Sequence, residues 1–127
     1  MTDVLVIDVS AMAALLFGEP AADMVRERIF DAKLFAPTLL DFELSNVCLT
    51  KMRREPARRQ ALVAAFNLRS AFHVEHLDVK QVGVLQLAEF TRLSSYDASY
   101  LWLSREIEAG LLTLDKKLAA AAAAIGS

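Results

Sequence analysis

Four acidic residues, far apart in the chain, stand where short apolar segments give way to helical ones. Asp8 follows the apolar residues 4–7, and Asp115 follows the segment LLTL. Glu43 and Asp97 fall in the first turns of two segments with helical periodicity. Carboxylate oxygens select hard cations such as Mg²⁺ or Mn²⁺, which lower the pKa of a bound water and stabilise the charge that develops in phosphodiester cleavage. The four residues therefore predict metal-assisted hydrolysis, provided that the fold brings them together.

Glu43 is the acid that a purely structural role explains least well. On a helix that turns 100° per residue it falls among apolar positions, and no Lys or Arg shares its stripe. Thr38 and Asp41 form a T-x-x-D pattern that would already cap this helix. A carboxylate directed toward apolar surroundings is costly unless it is paired, protonated or bound to metal. We therefore expect Glu43 to point inward, held in orientation by Asn46 and Thr50 on the same stripe.

The other three acids also have structural interpretations. Asp115 precedes KKLAAAA and fits a helix N-cap, and Asp97 stands three residues after Ser94, as the acidic member of a capping box does. Asp8, at a strand-to-helix turn, can accept hydrogen bonds from local backbone N–H groups. Taken singly, these residues leave both interpretations open.

The segments that must position the acids alternate between two kinds. Short apolar runs typical of strands lie at residues 4–7, 34–36 and 111–114, with a weaker one at 73–77. Helical periodicity covers residues 10–17, 19–31, 39–53, 56–71, 78–92, 96–109 and 116–124. This alternation predicts an α/β fold with a mainly parallel sheet of about four strands. At one edge of such a sheet the strands end and the following helices begin, so the four acids are expected to converge there.

Length and charge restrict the kinds of partner. The 127 residues suit one domain over residues 1–127, and the net charge of −2 excludes a global basic field. Any contact with nucleic acid must therefore come from a local patch. The segment KMRREPARR supplies Lys51, Arg53, Arg54, Arg58 and Arg59. These residues fit phosphate contacts with RNA, a solvated turn between helices, or a surface for an acidic partner.

The single cysteine, Cys48, excludes an internal disulfide and agrees with a reducing cytosol. We expect it to be a small buried hydrophobe. The N-terminus lacks a basic region followed by a long apolar one, and LAAAAAAIGS is too short for a membrane span. The expectation is a soluble, cytoplasmic protein without a signal peptide.

Four motifs, in this order, carry a resemblance to a known family: VIDVSA, APTLLDFELSNV, SYDASYLWL and LLTLDKKLA. Over residues 4–119 the chain resembles the PIN-domain ribonucleases, and most closely the VapC toxins of bacterial and archaeal toxin–antitoxin pairs. The resemblance implies a PIN-like three-layer α/β/α fold. It also implies a quartet of site residues with two supporting polar residues. The quartet is Asp8, Glu43, Asp97 and Asp115, and the supporting residues are Ser10 and Asn46.

The resemblance further implies an activity and partners. It implies an endoribonuclease dependent on Mg²⁺ or Mn²⁺ that often cleaves tRNA or ribosomal RNA, is held inactive by an antitoxin, and is usually a homodimer. It also implies that the helices MAALLFG and AADMVRERIF, residues 12–18 and 21–30, help to form the antitoxin groove. Many relatives continue into another strand after the last helix, so the sheet is expected to be one edge strand shorter here.

Two other classes stay open on the residues alone. One is a non-catalytic interaction module with the same fold, against which the intact acidic set argues. The other is an aspartyl-phosphate protein, because receiver domains and haloacid dehalogenases also place an Asp after the first strand. A dehalogenase expects D-x-D, but Ser10 holds the second position. A receiver expects an acidic pair beside the first strand and a Lys after the last one, but Asp3 lies at the wrong end and Lys116 directly follows Asp115.

Overall fold

The central sheet consists of four parallel strands whose spatial order differs from their order in the chain. The structure, a computed structural model, describes residues 2–126. The strands are β1 (Asp3–Ile7), β2 (Ala32–Pro37), β3 (Glu75–Leu77) and β4 (Gly110–Leu112). They lie in the order β3-β2-β1-β4, with Leu5 of β1 opposite both Leu34 and Gly110. The predicted parallel α/β sheet is confirmed, including its weak strand.

The helices form two layers around this sheet. In residues 2–126 the α-helices are α1 (Val9–Phe17), α2 (Ala22–Ile29), α3 (Leu40–Arg54), α4 (Arg59–Asn67), α5 (Gln81–Thr91), α6 (Ser95–Glu106) and α7 (Lys116–Ala124). Helix α1 packs against α2, α3 and α4, whereas α6 packs against α5, α7 and three of the strands. The fold is therefore the expected α/β/α sandwich. None of the described helices is both long and apolar enough to cross a membrane.

Two of the predicted helices are shortened most in the structure. The segment 56–71 is not one helix, because α4 is flanked by 3₁₀ turns at Pro56–Arg58 and Leu68–Phe72. Proline has no backbone N–H to continue α3, which explains the first break. The segment 19–31 is helical only over α2, because Gly18 ends α1 in the left-handed region (φ 65°) and a turn must follow before α2 begins.

The strand order creates a crevice at one place on the sheet edge. Strands β1 and β4 are neighbours, but β1 leads to β2 on its other side, whereas β4 leads to α7 in the opposite helical layer. In open parallel sheets such a reversal leaves a crevice outside the carboxyl ends of the two strands. Asp8 directly follows β1, and Asp115 follows β4 after two loop residues. The fold thus places these two carboxylates on either side of the crevice.

The side chains that hold this edge in place are apolar. Val6 and Ile7, the last residues of β1, have no exposed surface, and Leu101 of α6 and Leu118 of α7 are buried in the same core. Cys48 is also buried, as predicted, with its Sγ 3.6 Å from the carbonyl oxygen of Leu62. Because a close-packed core is hardly compressible, the ends of the strands hold the acids in fixed positions.

Candidate functional site

Asp8 is the most buried of the four carboxylates, with 3% of its surface exposed. It is the N-cap of α1: its Oδ1 accepts a hydrogen bond from the backbone N–H of Ala11 at 3.0 Å. The same oxygen accepts from the Ser10 hydroxyl at 2.7 Å, and Oδ2 accepts from the Thr113 hydroxyl. Burial raises the pKa of Asp8, and these three hydrogen bonds oppose the increase.

Besides donating to Asp8, the hydroxyl groups of Ser10 and Thr113 each accept a hydrogen bond from the backbone of the loop after β4. The Ser10 Oγ accepts a hydrogen bond from the backbone N–H of Leu114 at 2.9 Å, and the Thr113 Oγ1 accepts from that of Asp115 at 3.0 Å. The two hydroxyl groups therefore connect the end of β1 to the loop that carries Asp115. Ser10 was expected here, but Thr113 was missed. The sequence signal that could have found Thr113 was its hydroxyl side chain two positions before Asp115.

Asp97 and Asp115 both lie in the N-terminal turns of helices; the N-cap interpretation of Asp115 is confirmed, whereas only the Ser94 half of the predicted capping box is present. Asp115 is the N-cap of α7 and accepts from the N–H of Leu118 at 3.0 Å. For α6 the cap is Ser94, whose Oγ accepts from the backbone N–H of Asp97 at 3.1 Å. The cap on α6 therefore uses the backbone N–H of Asp97, and the Ser94 hydroxyl also opposes the increase that burial causes in the pKa of the Asp97 carboxyl. Capping and a role in the site are compatible for these residues.

Glu43 points inward, as predicted, but the residue that holds it was not predicted. Its Oε1 accepts a hydrogen bond from the phenol of Tyr100, 2.6 Å away on α6. The expectation that Asn46 and Thr50 orient Glu43 is wrong: Asn46 is exposed, and the Thr50 hydroxyl donates to its own helix at the Asn46 carbonyl. Burial and the hydrogen bond to Glu43 raise the pKa of the Tyr100 phenol far above its usual value, so Tyr100 stays a donor.

The predicted T-x-x-D cap of α3 is also wrong. Leu39 occupies the N-cap position, and no side chain caps the helix there. Asp41 lies on another face of α3, where it pairs with Arg69 at 3.4 Å and with His76 at 3.5 Å. The reason is that the chain enters α3 through a turn at Thr38 and Leu39, which shifts the first helical residue beyond the position that the pattern requires.

Charges within the quartet raise the pKa values of Asp8, Glu43 and Asp97, as expected for carboxylates that lie close together. After burial, the charge of Asp115 raises the pKa of Asp97 and contributes to that of Asp8. The charges of Asp97 and Asp8 likewise raise the pKa of Glu43. Among the described residues, the ion pairs within 4 Å fall on other carboxylates. The charge of Lys117 partly offsets the raised pKa of Asp97, but within residues 2–126 no cationic side chain forms an ion pair with a quartet acid, so the edge keeps an excess of negative charge.

The donor set of this edge suits a hard divalent cation. Every charged candidate ligand offers carboxylate oxygens, which suit such ions. In the described part of the chain the histidines line a separate cavity and Cys48 is buried against Leu62. Within residues 2–126, no three acidic, histidine or cysteine side chains already stand at metal-ligating positions. Carboxylates without a bound cation repel one another. In this structure hydroxyl groups of Ser10, Thr113 and Tyr100 hold Asp8 and Glu43 in place against that repulsion.

Two cavities lie on different faces of α3, and only one reaches the acidic edge. A cleft of about 440 Å³ contains Glu43. Its other lining residues are Val9, Leu39, Phe42, Asn46, Val47 and Tyr96. A larger cavity of about 580 Å³ lies on the side of Asp41 and Arg69 and contains none of the four acids. The smaller cleft is therefore the one that belongs to the site.

The basic segment lies away from this edge. Along α3, with a rise of 1.5 Å per residue, Lys51 and Arg54 are about 12 and 16 Å from Glu43. Lys51 pairs with Glu19 at 3.0 Å and lies over the ring of Phe17. Arg53, Arg54, Arg58 and Arg59 are all exposed. The segment is thus a charged surface at the far end of α3.

Comparison with known proteins identifies the family and agrees with the fold. The family model of the PIN domain matches residues 5–124. The chain belongs to the PIN-domain family. The sequence of this PIN domain is 32% identical over 119 residues to that of ribonuclease VapC9 of Mycobacterium tuberculosis and to that of VapC ribonuclease Mb0985 of Mycobacterium bovis. The alignments cover 90% of this chain and 87% of each relative. The predicted resemblance to VapC ribonuclease toxins is confirmed, and the aspartyl-phosphate alternative is not supported.

Solved structures agree with this family. PAE2754 from Pyrobaculum aerophilum superimposes with a TM-score of 0.75 at 26% identity, covering 95% of this PIN domain and 87% of that chain. VapC20 of M. tuberculosis, described as a sarcin–ricin loop cleaving toxin, gives a TM-score of 0.65 at 20% identity. That alignment covers 92% of this chain and 94% of VapC20. The likeness to VapC20 supports the fold alone.

Proposed function

We propose that this PIN domain is the toxin of a type II toxin–antitoxin system and an endoribonuclease dependent on Mg²⁺ or Mn²⁺. The observation that carries the proposal is the placement of Asp8 and Asp115 after neighbouring parallel strands, with Glu43 and Asp97 in the first turns of α3 and α6 close enough for their charges to interact. The relation to VapC ribonucleases supports RNA as the substrate, with tRNA or ribosomal RNA as the target. The same relation supports a cytoplasmic homodimer that an antitoxin holds inactive.

The four carboxylates have distinct roles in this proposal. Asp8 is the fixed ligand, because three hydrogen bonds and a buried strand hold it in place. Asp97 and Asp115 complete the set of anionic oxygens on the other side of the crevice. A bound divalent cation would supply a polarised water and neutralise charge on the phosphate. Ser10 and Thr113 position Asp8 and do not touch the substrate.

Glu43 is suited to proton transfer. Tyr100 holds its Oε1, which leaves Oε2 as the oxygen that can accept a proton. Burial and the neighbouring Asp97 and Asp8 raise its pKa toward the range in which a carboxylate works as a base. In hydrolysis the oxygen of water bonds to phosphorus as a P–O ester bond breaks, one proton of the water passes to Glu43, and the leaving oxygen takes up a proton from solvent.

A cleavage assay tests this function. The purified wild type is incubated with RNA and Mg²⁺ or Mn²⁺, with and without EDTA, and the new RNA ends are mapped. We expect cleavage that EDTA, Asp8→Asn and Asp97→Asn each abolish. Asp3→Asn is the matched control, because it replaces an exposed carboxylate at the other end of the same strand. RNA cleavage that survives EDTA and both site substitutions would refute the proposal.

A wild type that binds no divalent ion in calorimetry and cleaves no RNA would instead support the non-catalytic module. The same purified protein answers this question, because metal binding is measured without RNA. Folding of each variant is checked by circular dichroism, so loss of cleavage is read only on folded protein.

A further inference from the structure

Two exposed aromatic residues each stand directly before an acid of the quartet. Phe42 precedes Glu43 on α3 and is 80% exposed, and Tyr96 precedes Asp97 on α6 and is 64% exposed. A single exposed aromatic residue needs no explanation. These two, however, line the same cleft of about 440 Å³ as Glu43. Large apolar side chains grouped around a functional cleft mark a binding surface.

The rest of the cleft has a composition that suits a flat, partly polar ligand. Val9, Leu39 and Val47 form apolar parts of its lining, and Asn46 adds a side-chain amide that is exposed to solvent. An amide can both donate and accept hydrogen bonds. A nucleobase has an apolar face for stacking and a hydrogen-bonding edge that such an amide can read.

The two walls of the cleft are fixed relative to each other. The hydrogen bond of 2.6 Å between the buried Tyr100 and Glu43 connects α6, which carries Tyr96, to α3, which carries Phe42. On α6 the Ser99 hydroxyl donates to the Tyr96 carbonyl at 2.6 Å, which stabilises the turn that carries this aromatic residue. A site whose walls are already in place loses less entropy when it binds a base.

We propose that Phe42 and Tyr96 stack on an unpaired base of the RNA beside the scissile phosphate, and that Asn46 recognises the edge of this base. The inference rests on the proposed ribonuclease activity and assigns its base-binding subsite. Stacking on aromatic side chains is how single-stranded RNA is commonly held. A second copy of the chain is the rival occupant, but a protein surface over this cleft would bury the Glu43 carboxylate further without a cation to pair it.

The binding test uses a short single-stranded RNA that contains 2-aminopurine, whose fluorescence falls when the base stacks. Phe42→Ala and Tyr96→Ala are made in the Asp8→Asn background with Mg²⁺, so the RNA stays intact. We expect the quenching to be lost and the Kd to rise on the order of tenfold for each. Tyr96→Phe keeps the ring and should keep the quenching. Phe30→Ala is the matched control, since Phe30 is 85% exposed at the opposite end of the sheet.

The kinetic test uses the same substitutions with Asp8 intact. The KM for RNA should rise about tenfold, with a smaller change in kcat, and Asn46→Ala should change which base is preferred next to the cut. Quenching and KM values equal to those of Phe30→Ala would overturn the inference. A change from dimer to monomer in sedimentation of Phe42→Ala or Tyr96→Ala would overturn it too, by assigning the surface to a second copy. If the wild type cleaves no RNA, the proposed activity fails, while the quenching experiment still decides the base-binding subsite.

Discussion

The acidic edge of the sheet and the basic segment at the end of α3 are both charge clusters, but they are built in opposite ways. The basic residues are close in sequence, mostly exposed, and partly paired, as Lys51 is with Glu19. The acids are far apart in sequence and meet at one edge, where burial raises the pKa values of Asp8, Glu43 and Asp97. Exposed charged residues that are neighbours in sequence cost the folded state little free energy. Like charges that the fold brings together and partly buries destabilise it, so their presence indicates a function.

Asp3 and Asp8 make the same contrast within one strand. Asp3 is exposed at the start of β1 and lies 3.9 Å from Arg28. Asp8 stands just after the end of β1, buried, and is held by two hydroxyl groups and a backbone N–H. The residue type is the same, and the surroundings alone separate a surface charge from a candidate ligand.

The largest expected effect is loss of RNA cleavage when a quartet acid is replaced. Asp8→Asn and Asp97→Asn should each reduce kcat/KM by at least about a hundredfold, because each removes an anionic ligand of the cation. Asp3→Asn should leave kcat/KM within about twofold, since exposed charges far from a site contribute little. The rate of RNA cleavage with Mn²⁺ measures this. Equal losses in Asp3→Asn and Asp8→Asn would remove the distinction between the two ends of β1.

The next effect concerns the hydroxyl groups that hold Asp8. Thr113→Val keeps the shape of the side chain but removes the hydrogen bond to Oδ2 of Asp8. Substitutions that disturb the partners of a metal ligand typically weaken metal affinity by about 10- to 100-fold. Calorimetry with Mn²⁺ measures this change, and Thr50→Val, on the exposed side of α3, is the control. Unchanged Mn²⁺ affinity in Thr113→Val would show that Asp8 does not depend on this contact.

A smaller effect concerns stability without metal. The folded-state pKa of Glu43 is raised, so protonation stabilises the fold below the unfolded pKa of about 4.3, and this contribution is lost as pH rises through the folded value. Glu43→Gln should therefore match the wild type in Tm near pH 4 and exceed it by a few degrees at pH 7. Calorimetric scans across pH measure the difference. Glu89→Gln, an exposed substitution on α5, should show no such trend, and a lower Tm for Glu43→Gln at pH 7 would contradict the prediction.

The smallest effect is expected from the basic segment. Arg53→Gln, Arg54→Gln and Arg59→Gln together should change the Kd for RNA by less than about threefold and leave its salt dependence intact, because they lie far from the quartet. Each lost phosphate contact would otherwise reduce the slope of log affinity against log salt by about 0.7. Binding titrations at several salt concentrations measure the slope. A reduced slope would make this segment part of the RNA surface.

Local patterns in the sequence predicted the elements well where the pattern was strong. Apolar runs gave the positions of β1 and β2, and the caps at Ser94 and Asp115 gave the starts of α6 and α7. The prediction failed where the chain leaves a helix without a strong signal, as within residues 56–71. A 3₁₀ turn and an α-helical turn share nearly the same apolar spacing, so periodicity does not separate them.

The sequence by itself determined the order of the helices and strands, the choice of the four acids as candidate site residues, and the family. Each of these depends on residues close together in the chain or on the order of short motifs. Only the tertiary structure decided which groups hold the acids. Tyr100 is 57 residues from Glu43, and Thr113 is 105 residues from Asp8. Such contacts depend on where the sheet places α3 relative to α6 and on how β4 pairs with β1, and neither arrangement leaves a periodic pattern in the residues themselves.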